Sequence, residues 1–568
     1  MLPEMKKKFL FIFAGVLSFA TACQKEADIQ HSHLRLSTVV EPMDLTTKTT
    51  YDSIEGKFEW TEGDKIALHY TTGFYYETSI DAANGKIDAE KGRTRDYYAV
   101  YPASVADPDN YGKPTLKIML PDTYDIKDIV AGSKTSNFSP CPMVASNAKD
   151  LAMLKFYHVG GLLRVTLGNI PAQTQRIRVT FPKDVTGSYT VSDPGTTNPT
   201  ISTAGSASNN TITFILAQNE VGTLLNPVVL NIPVPCGTYD KVMFEALSSS
   251  GTLLISKTYD RPLTFNRHHG KRWEVIFEIA AFSVSYEKRV VFAPGNVVVD
   301  DTLNEDGTHT VNWRFADNQW DSYANLPPTT PGQSSTYSLF GWGTGNNPWL
   351  ISDSKSDYST FTDWGVHFDE AGNGSSSING TTWRTPTSDE LSHLFNGRHN
   401  CRSLSSTAIL VDNDGVVAIG FILLPDDWCS PIGVSFTSFD EAIGNSAVSF
   451  RDINIYALGG SNSSDNDGDW SVMEASGAVF LPCSGSREIR TVTRRDPITG
   501  ERVRVSEASI NASKSFYWSF FELDLGQKLF GLHMRASSNR PGYIDIVAMM
   551  SDPDLNYGYN VRLVREID

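Results

Sequence analysis

Short runs of alternating apolar and polar residues constrain the fold of this chain most. The stretch from Leu154 to Ile170, LKFYHVGGLLRVTLGNI, alternates well enough for a strand with one face in a core. Similar runs, bounded by turn residues, recur as LRLSTVV (34–40), DYYAVYP (96–102), TITFILA (211–217) and KVMFEAL (241–247). Such short, regularly interrupted runs are typical of β-sandwich domains, and 568 residues are enough for several domains.

The N-terminus predicts export. Three lysines (residues 6–8) precede an apolar run from Phe9 to Ala22, and Cys23 follows directly. This order is that of a secretion signal, and the run is shorter than the roughly 20 residues that span a bilayer. The small residues before Cys23 resemble a bacterial lipobox, which implies cleavage before Cys23 and its acylation. The alternative is an ordinary secretory signal with an incidental cysteine.

The remaining cysteines and the charge exclude some classes of function. No CxxC spacing occurs, so the sequence predicts neither a zinc site nor a redox pair. A disulfide between Cys401 and Cys429 stays open, with buried free thiols as the default. The net charge of −17 argues against a nucleic-acid partner, which would favour a basic surface.

Three aromatic motifs in the first half occur in a recognisable order. They are FEW with GD (58–64), YAVYP (98–102) and FYH (156–158). With the lipobox, their order and spacing resemble the fimbrillin-like proteins of Bacteroidetes over about residues 40–280. The resemblance implies an exported lipoprotein of the outer membrane, cell surface and fimbrium, with two transthyretin-like β-sandwiches. We place these at residues 49–152 and 153–282, after a signal peptide (1–22) and an N-terminal arm (23–48).

The same resemblance implies assembly by strand exchange. In that family a trypsin-like protease cuts after Arg or Lys and removes the first strand, and a strand of another subunit then pairs with the open edge. Arg35, in the LRLSTVV run, and Lys48, just before the first domain, are the candidate cut sites. The position of Lys48 in the arm favours it. The expected partners are other fimbrial subunits.

The second half has a different amino-acid composition, which is rich in Trp and Gly. NGTTWRTPTSDELSHLF (379–395), with FGWGTGNNPW (340–349), resembles the fold shared by C-type-lectin-like proteins and formylglycine-generating enzymes. The resemblance covers residues 283–568 and implies an α+β domain with a small sheet, two helices and long loops. Ser388 is predicted to cap a helix. Trp383 and Arg384 are predicted to be structural.

Catalysis is not the predicted role of this half. The generating enzymes use reactive thiolates near the end of the domain, whereas here no cysteine follows Cys483, which lies in VFLPCSG at a strand end. None of the patterns GxSxG, HExxH and GxxxxGK occurs. We therefore predict no catalytic residue. An enzyme of the same fold remains the lesser alternative.

Binding of a glycan or protein ligand is the predicted role instead. Trp and Tyr offer flat apolar surfaces that stack on sugars or anchor protein interfaces. The predicted ligand-binding residues lie in loops and are Asn346, Trp349, Tyr517 and Trp518.

Calcium is the one cofactor that the sequence suggests. Many lectins of the resembled fold use it, and Asp465, Asp467 and Asp469 alternate in DNDGD as oxygen ligands often do. The run lacks the downstream Glu of an EF-hand, and VDNDG (411–415) is a similar cluster that reads as a plain turn.

These expectations combine into a fimbrial tip subunit. A shaft subunit of the fimbrillin family donates an extended C-terminal strand, whereas here NVRLVREID (560–568) closes a whole domain. A subunit that accepts a strand without donating one belongs at the tip, where an adhesin is useful. The alternative is a stand-alone outer-membrane lipoprotein with a glycan-binding domain and an uncut arm.

Overall fold

The computed structural model describes most of residues 34–567 and confirms the predicted mainly β architecture. Among the residues described, no helix is long and apolar enough to cross a membrane. The stretches left undescribed within this range are 42–59, 61, 71–73, 90–96, 108–114, 127–140, 147–152, 172, 205–208, 217–227, 279, 376–379, 381, 439–446, 450–453, 460–465, 513–514, 521–528, 537–542 and 552–553.

The first unit is a closed barrel. The strands up to residue 158 are β1 (Leu34–Val40), β2 (Lys65–Tyr70), β3 (Phe74–Asp81), β4 (Lys86–Ala89), β5 (Tyr97–Tyr101), β6 (Leu116–Leu120), β7 (Thr123–Ile126), β8 (Met143–Ser146) and β9 (Met153–His158). Seven of them close in the order β1-β4-β3-β2-β5-β8-β9. Alternate residues point inward, so that Ile66, Leu68 and Phe156 are fully buried in one core.

The second unit is built from three open sheets. Its strands are β10 (Gly160–Gly168), β11 (Arg176–Thr180), β12 (Gly187–Ser192), β13 (Thr200–Thr203), β14 (Thr211–Leu216), β15 (Val228–Pro235), β16 (Gly237–Leu247), β17 (Leu253–Phe265) and β18 (Gly270–Ile276). The sheet orders are β17-β16-β11-β14-β7, β15-β10-β18 and β13-β12-β6. Strands β6 and β7 thus leave the barrel and pair with the second unit.

The structure shifts the boundary between these two units. The sequence placed residues 153–158 in the second sandwich, but β9 pairs with β8 and β1 and so belongs to the first barrel. The chain passes to the second unit after His158. The alternation of apolar residues predicts strands here, but it carries no signal for which barrel a strand joins.

In the residues that the structure describes, the C-terminal region contains small sheets, two short α-helices and a few single helical turns. Its strands are β19 (Phe282–Ser283), β20 (Arg289–Phe292), β21 (Val297–Leu303), β22 (His309–Phe315), β23 (Ser334–Tyr337), β24 (Trp383–Arg384), β25 (Ser405–Asp412), β26 (Gly415–Leu423), β27 (Ala447–Ser449), β28 (Asn454–Ala457), β29 (Val479–Pro482), β30 (Ser486–Arg495), β31 (Arg502–Asn511), β32 (Leu529–Ala536), β33 (Tyr543–Ser551) and β34 (Val564–Ile567). The helices are α1 (Ser388–Ser392) and α2 (Trp470–Ala475).

The sheets of this region are each four strands or fewer. Their orders are β19-β20-β34-β24, β22-β21-β23, β28-β25-β26-β29, β27-β33-β32 and the hairpin β30-β31. Strand β34 lies between β20 and β24, so its backbone is paired on both sides. The lectin-like identity of this region stays a prediction.

Helix α1 begins where the sequence predicted, shifted by one residue. Its N-cap is Thr387, whose side chain accepts a hydrogen bond from Glu390 N, while Glu390 accepts one from Thr387 N. The predicted cap, Ser388, is instead the first helical residue. Glu390 also binds Arg384 through two hydrogen bonds of 2.7 and 2.6 Å, which confirms a structural role for Arg384.

Polar contacts connect the second unit to the C-terminal region. Lys257 Nζ lies 2.6 Å from an Asp427 carboxylate oxygen, and Lys241 donates to the carbonyl of Ser430 at 2.9 Å. A cavity of about 250 Å³ opens between β17 and the start of the C-terminal region. Polar contacts thus join the two parts beside a cavity lined by both apolar and polar residues.

Candidate functional site

Strand β1 closes the first barrel by pairing with a different neighbour along each half of its length. Its first half, from Leu34 to Ser37, runs antiparallel to β4, and its second half, from Ser37 to Val40, runs parallel to β9. Thr38 adds two hydrogen bonds to the carbonyl of Gly85, from its amide at 2.9 Å and its hydroxyl at 2.7 Å. The strand therefore satisfies two edges that would be open without it.

Gly85 allows this close approach. It has a positive φ of 62°, a conformation that residues with a side chain rarely adopt. A Cβ at this position would lie 3.0 Å from Thr38 Oγ1 and 3.4 Å from Trp60 Cδ1. The turn between β3 and β4 therefore depends on a glycine to receive β1.

Glu41, directly after β1, anchors the end of the strand to the second unit. Its carboxylate forms a two-point ion pair with Arg267, in which Nη2 donates at 2.9 Å and Nη1 donates to the other oxygen. The two side chains are only 15% and 13% exposed. Glu41 N also donates to the carbonyl of Phe156 at 3.0 Å. A charge-assisted pair in this geometry is among the stronger polar contacts in proteins.

His158, at the end of β9, completes the anchor. Its ring Nε2 lies 3.0 Å from the carbonyl oxygen of Glu41, and its backbone N–H donates to the Glu41 carboxylate at 3.3 Å. Burial lowers the pKa of His158 to about 4, so the ring is neutral at pH 7. The carbonyl oxygen can only accept, and the proton of the neutral ring therefore resides on Nε2.

The structure separates the two predicted cleavage sites by their effect on β1. Arg35 is the second residue of β1, so a cut after it would leave Leu36–Val40 and every pairing with β9 in place. Lys48 lies outside the described residues, in the segment between β1 and β2. A cut there would free the whole of β1. The lipidation candidate Cys23 also lies outside the described residues.

The four predicted ligand-binding residues do not form one surface. Asn346 is exposed, and Trp349 is half-buried with its ring stacked on His309 at 4.2 Å and 6°. Tyr517 and Trp518 are core residues, and their prediction as surface contacts is wrong. Their polar atoms are used internally, because Trp518 Nε1 donates to Phe340 O at 2.6 Å and Tyr517 OH donates to Pro482 O at 3.0 Å.

The predicted calcium ligands have structural partners. Asp467 accepts hydrogen bonds from Ser435 Oγ at 2.5 Å and Ile455 N at 2.7 Å, while Asp469 caps α2 by accepting from Ser471 N. Asp465 lies outside the described residues. Within the described ranges, no group of three or more His, Cys, Asp or Glu side chains is placed to hold a metal. The described part of the DNDGD motif, residues 466–469, thus joins two loops and starts a helix.

The cysteines that the structure describes are free thiols, of which Cys141 is buried and Cys236 is exposed. Cys401 and Cys429 are free thiols and do not form the disulfide that the sequence left open. Burial raises the pKa of Cys483 to about 11, so this thiol is protonated at pH 7. A protonated thiol is a poor nucleophile and metal ligand.

Sequence reasoning missed the anchor of β1. Glu41 and Arg267 are 226 positions apart, and neither belongs to a recognisable motif. The alternation of LRLSTVV predicts a strand that ends near Val40, but it does not predict the anchor that follows. An acidic residue at that end gives no sign of a partner in another unit.

Comparisons with known proteins return only distant structural likenesses. No family model and no curated protein matches this chain. A fimbrial protein from Bacteroides ovatus is 10% identical, with a TM-score of 0.20, over 66% of this chain and 71% of its own. A provisionally assigned cell adhesion protein from Bacteroides ovatus is 13% identical, with a TM-score of 0.26, over 44% of this chain and 93% of its own. At these TM-scores the likenesses carry no argument about function.

Proposed function

We propose that this chain is an exported surface adhesin that joins a fibre by strand exchange. The observation that carries the proposal is the position of β1, which alone closes the barrel between β4 and β9. A chain segment in this position is replaceable, because a strand of another chain can make the same backbone hydrogen bonds. The first unit is then the acceptor, and the C-terminal region is the part that binds a glycan or protein ligand.

Removal of β1 would leave an acceptor groove of defined shape. The edge of β4 would be open at residues 86–89 and the edge of β9 at 153–156. An incoming strand would have to run parallel to β9 and antiparallel to β4, as β1 does. Cleavage after Lys48 is the event that we assign to this step, since a cut after Arg35 leaves most of β1 bound.

The tip position within the fibre rests on β34. This strand is paired with β20 on one side and β24 on the other, so its release would split a four-stranded sheet. A strand that is central in its own domain is a poor donor. In this proposal β34 is therefore not a donor strand, the C-terminal region faces outward, and a lipid on Cys23 holds the uncut form in the outer membrane.

The anchor of Glu41 favours one alternative. With its buried partner Arg267, the arm is held firmly in its own groove, as a stand-alone outer-membrane lipoprotein would require. The mature N-terminus distinguishes the two functions. Thr49 indicates a cut arm and assembly, whereas an acylated Cys23 on all surface copies indicates the monomeric lipoprotein.

Strand uptake by the cut protein is the direct test. The purified chain is treated briefly with trypsin, its N-terminus is identified by mass spectrometry, and a fluorescent peptide of residues 34–41 is added. We expect cleavage after Lys48, release of the arm and stable uptake of the peptide by the cut protein alone. A peptide with the same composition in scrambled order and a Lys48→Gln variant serve as controls. Uptake of the scrambled peptide, or no uptake after complete release of the arm, would overturn strand exchange.

A further inference from the structure

The hairpin of β30 and β31 has two chemically different faces. In an antiparallel pair, residues that lie opposite each other share a face, and successive residues alternate between faces. Opposite pairs include Arg490↔Glu507, Thr491↔Ser506, Val492↔Val505, Thr493↔Arg504, Arg494↔Val503 and Arg495↔Arg502. We call the face with Arg494 the mixed face and the face with Arg495 the arginine face.

The mixed face neutralises its own charges. Arg494 Nε lies 2.5 Å from a Glu507 carboxylate oxygen, and Arg490 donates to Glu488 at 2.9 Å. The apolar residues of the outer hairpin, Val492, Val503 and Val505, are also on this face. The observed ion pairs agree with the assignment of the faces from the register.

The arginine face carries three positive charges along its outer part, and the Asp353 carboxylate lies at its inner end. Its members are Thr491, Thr493, Arg495, Arg502, Arg504 and Ser506, all of them exposed. Among the described residues, none of the three arginines forms an ion pair. Ser506 donates to Asp353, which marks the inner limit of the face. Arg495 and Arg502 lie directly opposite each other, an arrangement that costs stability unless an anion sits between them.

We propose that the arginine face binds an acidic polysaccharide. A guanidinium group donates two parallel hydrogen bonds to a carboxylate or sulfate, the anionic groups of such polymers. Arg502 and Arg504 are two residues apart on one strand, so their Cα atoms are about 7 Å apart and can engage successive anionic groups. The exposed hydroxyls of Thr491 and Thr493 on the same face can bond to sugar hydroxyls.

The composition of the face favours a polysaccharide over an acidic protein. Protein interfaces have an apolar core with a polar rim. The exposed part of the arginine face has no apolar residue, and the apolar pair Ile489↔Ala508 on the same face lies at its half-buried inner end. The chain as a whole is acidic, at −17, and repels polyanions at long range. Attraction must therefore act within about 10 Å at 0.1 M salt, which requires the anion to lie directly on the face. The proposal rests on the binding role given above to the C-terminal region, but not on strand exchange.

The hairpin itself offers a matched control for the test. Arg502→Ser with Arg504→Ser removes two positive charges from the arginine face, and Arg490→Ser with Arg494→Ser removes two from the mixed face. The uncut full chain and both double variants are passed over immobilised heparin, polygalacturonate, polyglutamate and dextran in a biosensor. Thermal unfolding of each variant verifies that it is folded.

We expect the unaltered chain to bind heparin, polygalacturonate or both, and not dextran. Loss of two charged contacts should weaken binding about tenfold in the arginine-face variant, and the mixed-face variant should stay within about twofold. Preference between the sulfated and carboxylated polymers identifies the anionic group. The proposal is overturned if the unaltered chain binds neither polysaccharide, if it binds only polyglutamate, or if both variants lose binding equally. Peptide uptake by the cut protein is measured on the same variants and separates this outcome from a failure of strand exchange.

Discussion

The ion pair of Glu41 and Arg267 ties the end of the arm to the second unit. Both side chains are largely removed from water, so each charge relies on the other to offset its desolvation. The sequence could predict that a strand ends at Val40, because the alternation stops there. It could not predict the pair, since the arginine lies in a turn of another unit. The same limit explains the error at Trp518, where a loop-like local sequence is drawn into a core by distant residues.

Replacement of Glu41 by Gln keeps the shape of the side chain and leaves Arg267 without its anion. We expect the barrel to lose about 3 kcal/mol of unfolding free energy and the arm to be digested faster by trypsin. Glu62→Gln, in an exposed turn, is the matched control and should change neither. In a double-mutant cycle with Arg267→Gln, the loss in the double variant should be smaller than the sum of the two single losses. Additive losses would show that the pair contributes nothing beyond its separate residues.

At the scale of elements, local patterns predict starts and ends better than they predict partners. The bounds of β1 coincide with the alternating run, and the TSDE sequence placed the start of α1 within one residue. Thr387 and Ser388 both carry a hydroxyl that could cap the helix. Thr387 is the N-cap because its backbone is extended, whereas Ser388 is already helical. In contrast, β9 belongs to the first barrel rather than to the second unit, because its pairing with β1 closes the barrel over more than 100 residues.

Removal of the α1 cap tests the local part of this account. Thr387→Ala deletes the acceptor for Glu390 N and should lower the unfolding free energy of the C-terminal region by about 1 kcal/mol. Thr387→Ser keeps a hydroxyl and should restore most of the loss. Denaturant unfolding followed by tryptophan fluorescence measures both. An alanine variant as stable as the serine variant would assign the start of α1 to tertiary packing.

For the whole molecule, burial shifts the pKa of two barrel histidines and of two C-terminal carboxyl groups so that acid acts on the two sets in opposite directions. Burial lowers the pKa of His69 and of His158, both in the first barrel, to about 4. Burial raises the pKa of Asp363 and of Glu474, both in the C-terminal region. The unfolded barrel binds more protons than the folded barrel between pH 6.5 and 4, whereas the two carboxyl groups bind protons more readily when folded. No sequence pattern reveals this division, because it depends on burial alone.

The first barrel should therefore lose stability first as the pH falls. Each histidine is neutral in both states above pH 6.5. Between pH 6.5 and 4 the unfolded state takes up a proton that the folded barrel does not, which lowers the unfolding free energy by at most on the order of 3 kcal/mol for each histidine. Hydrogen exchange followed by mass spectrometry at pH 7, 5.5 and 4.5 should show earlier opening of residues 65–158 than of the C-terminal region. His69→Gln should reduce the pH dependence. Simultaneous opening of both regions would contradict this division.

The covalent connection of β1 to its own barrel gives this strand an advantage over competing strands of other subunits. The eighteen residues 42–59 join β1 to the rest of the barrel, which gives the strand an effective local concentration on the order of millimolar. A neighbouring subunit at micromolar concentration is then outcompeted roughly a thousandfold at equal intrinsic affinity. One peptide-bond cleavage in this tether would abolish the advantage without changing a single contact in the groove. Under the strand exchange proposed above, polymerisation would thus be timed by a protease rather than by subunit concentration.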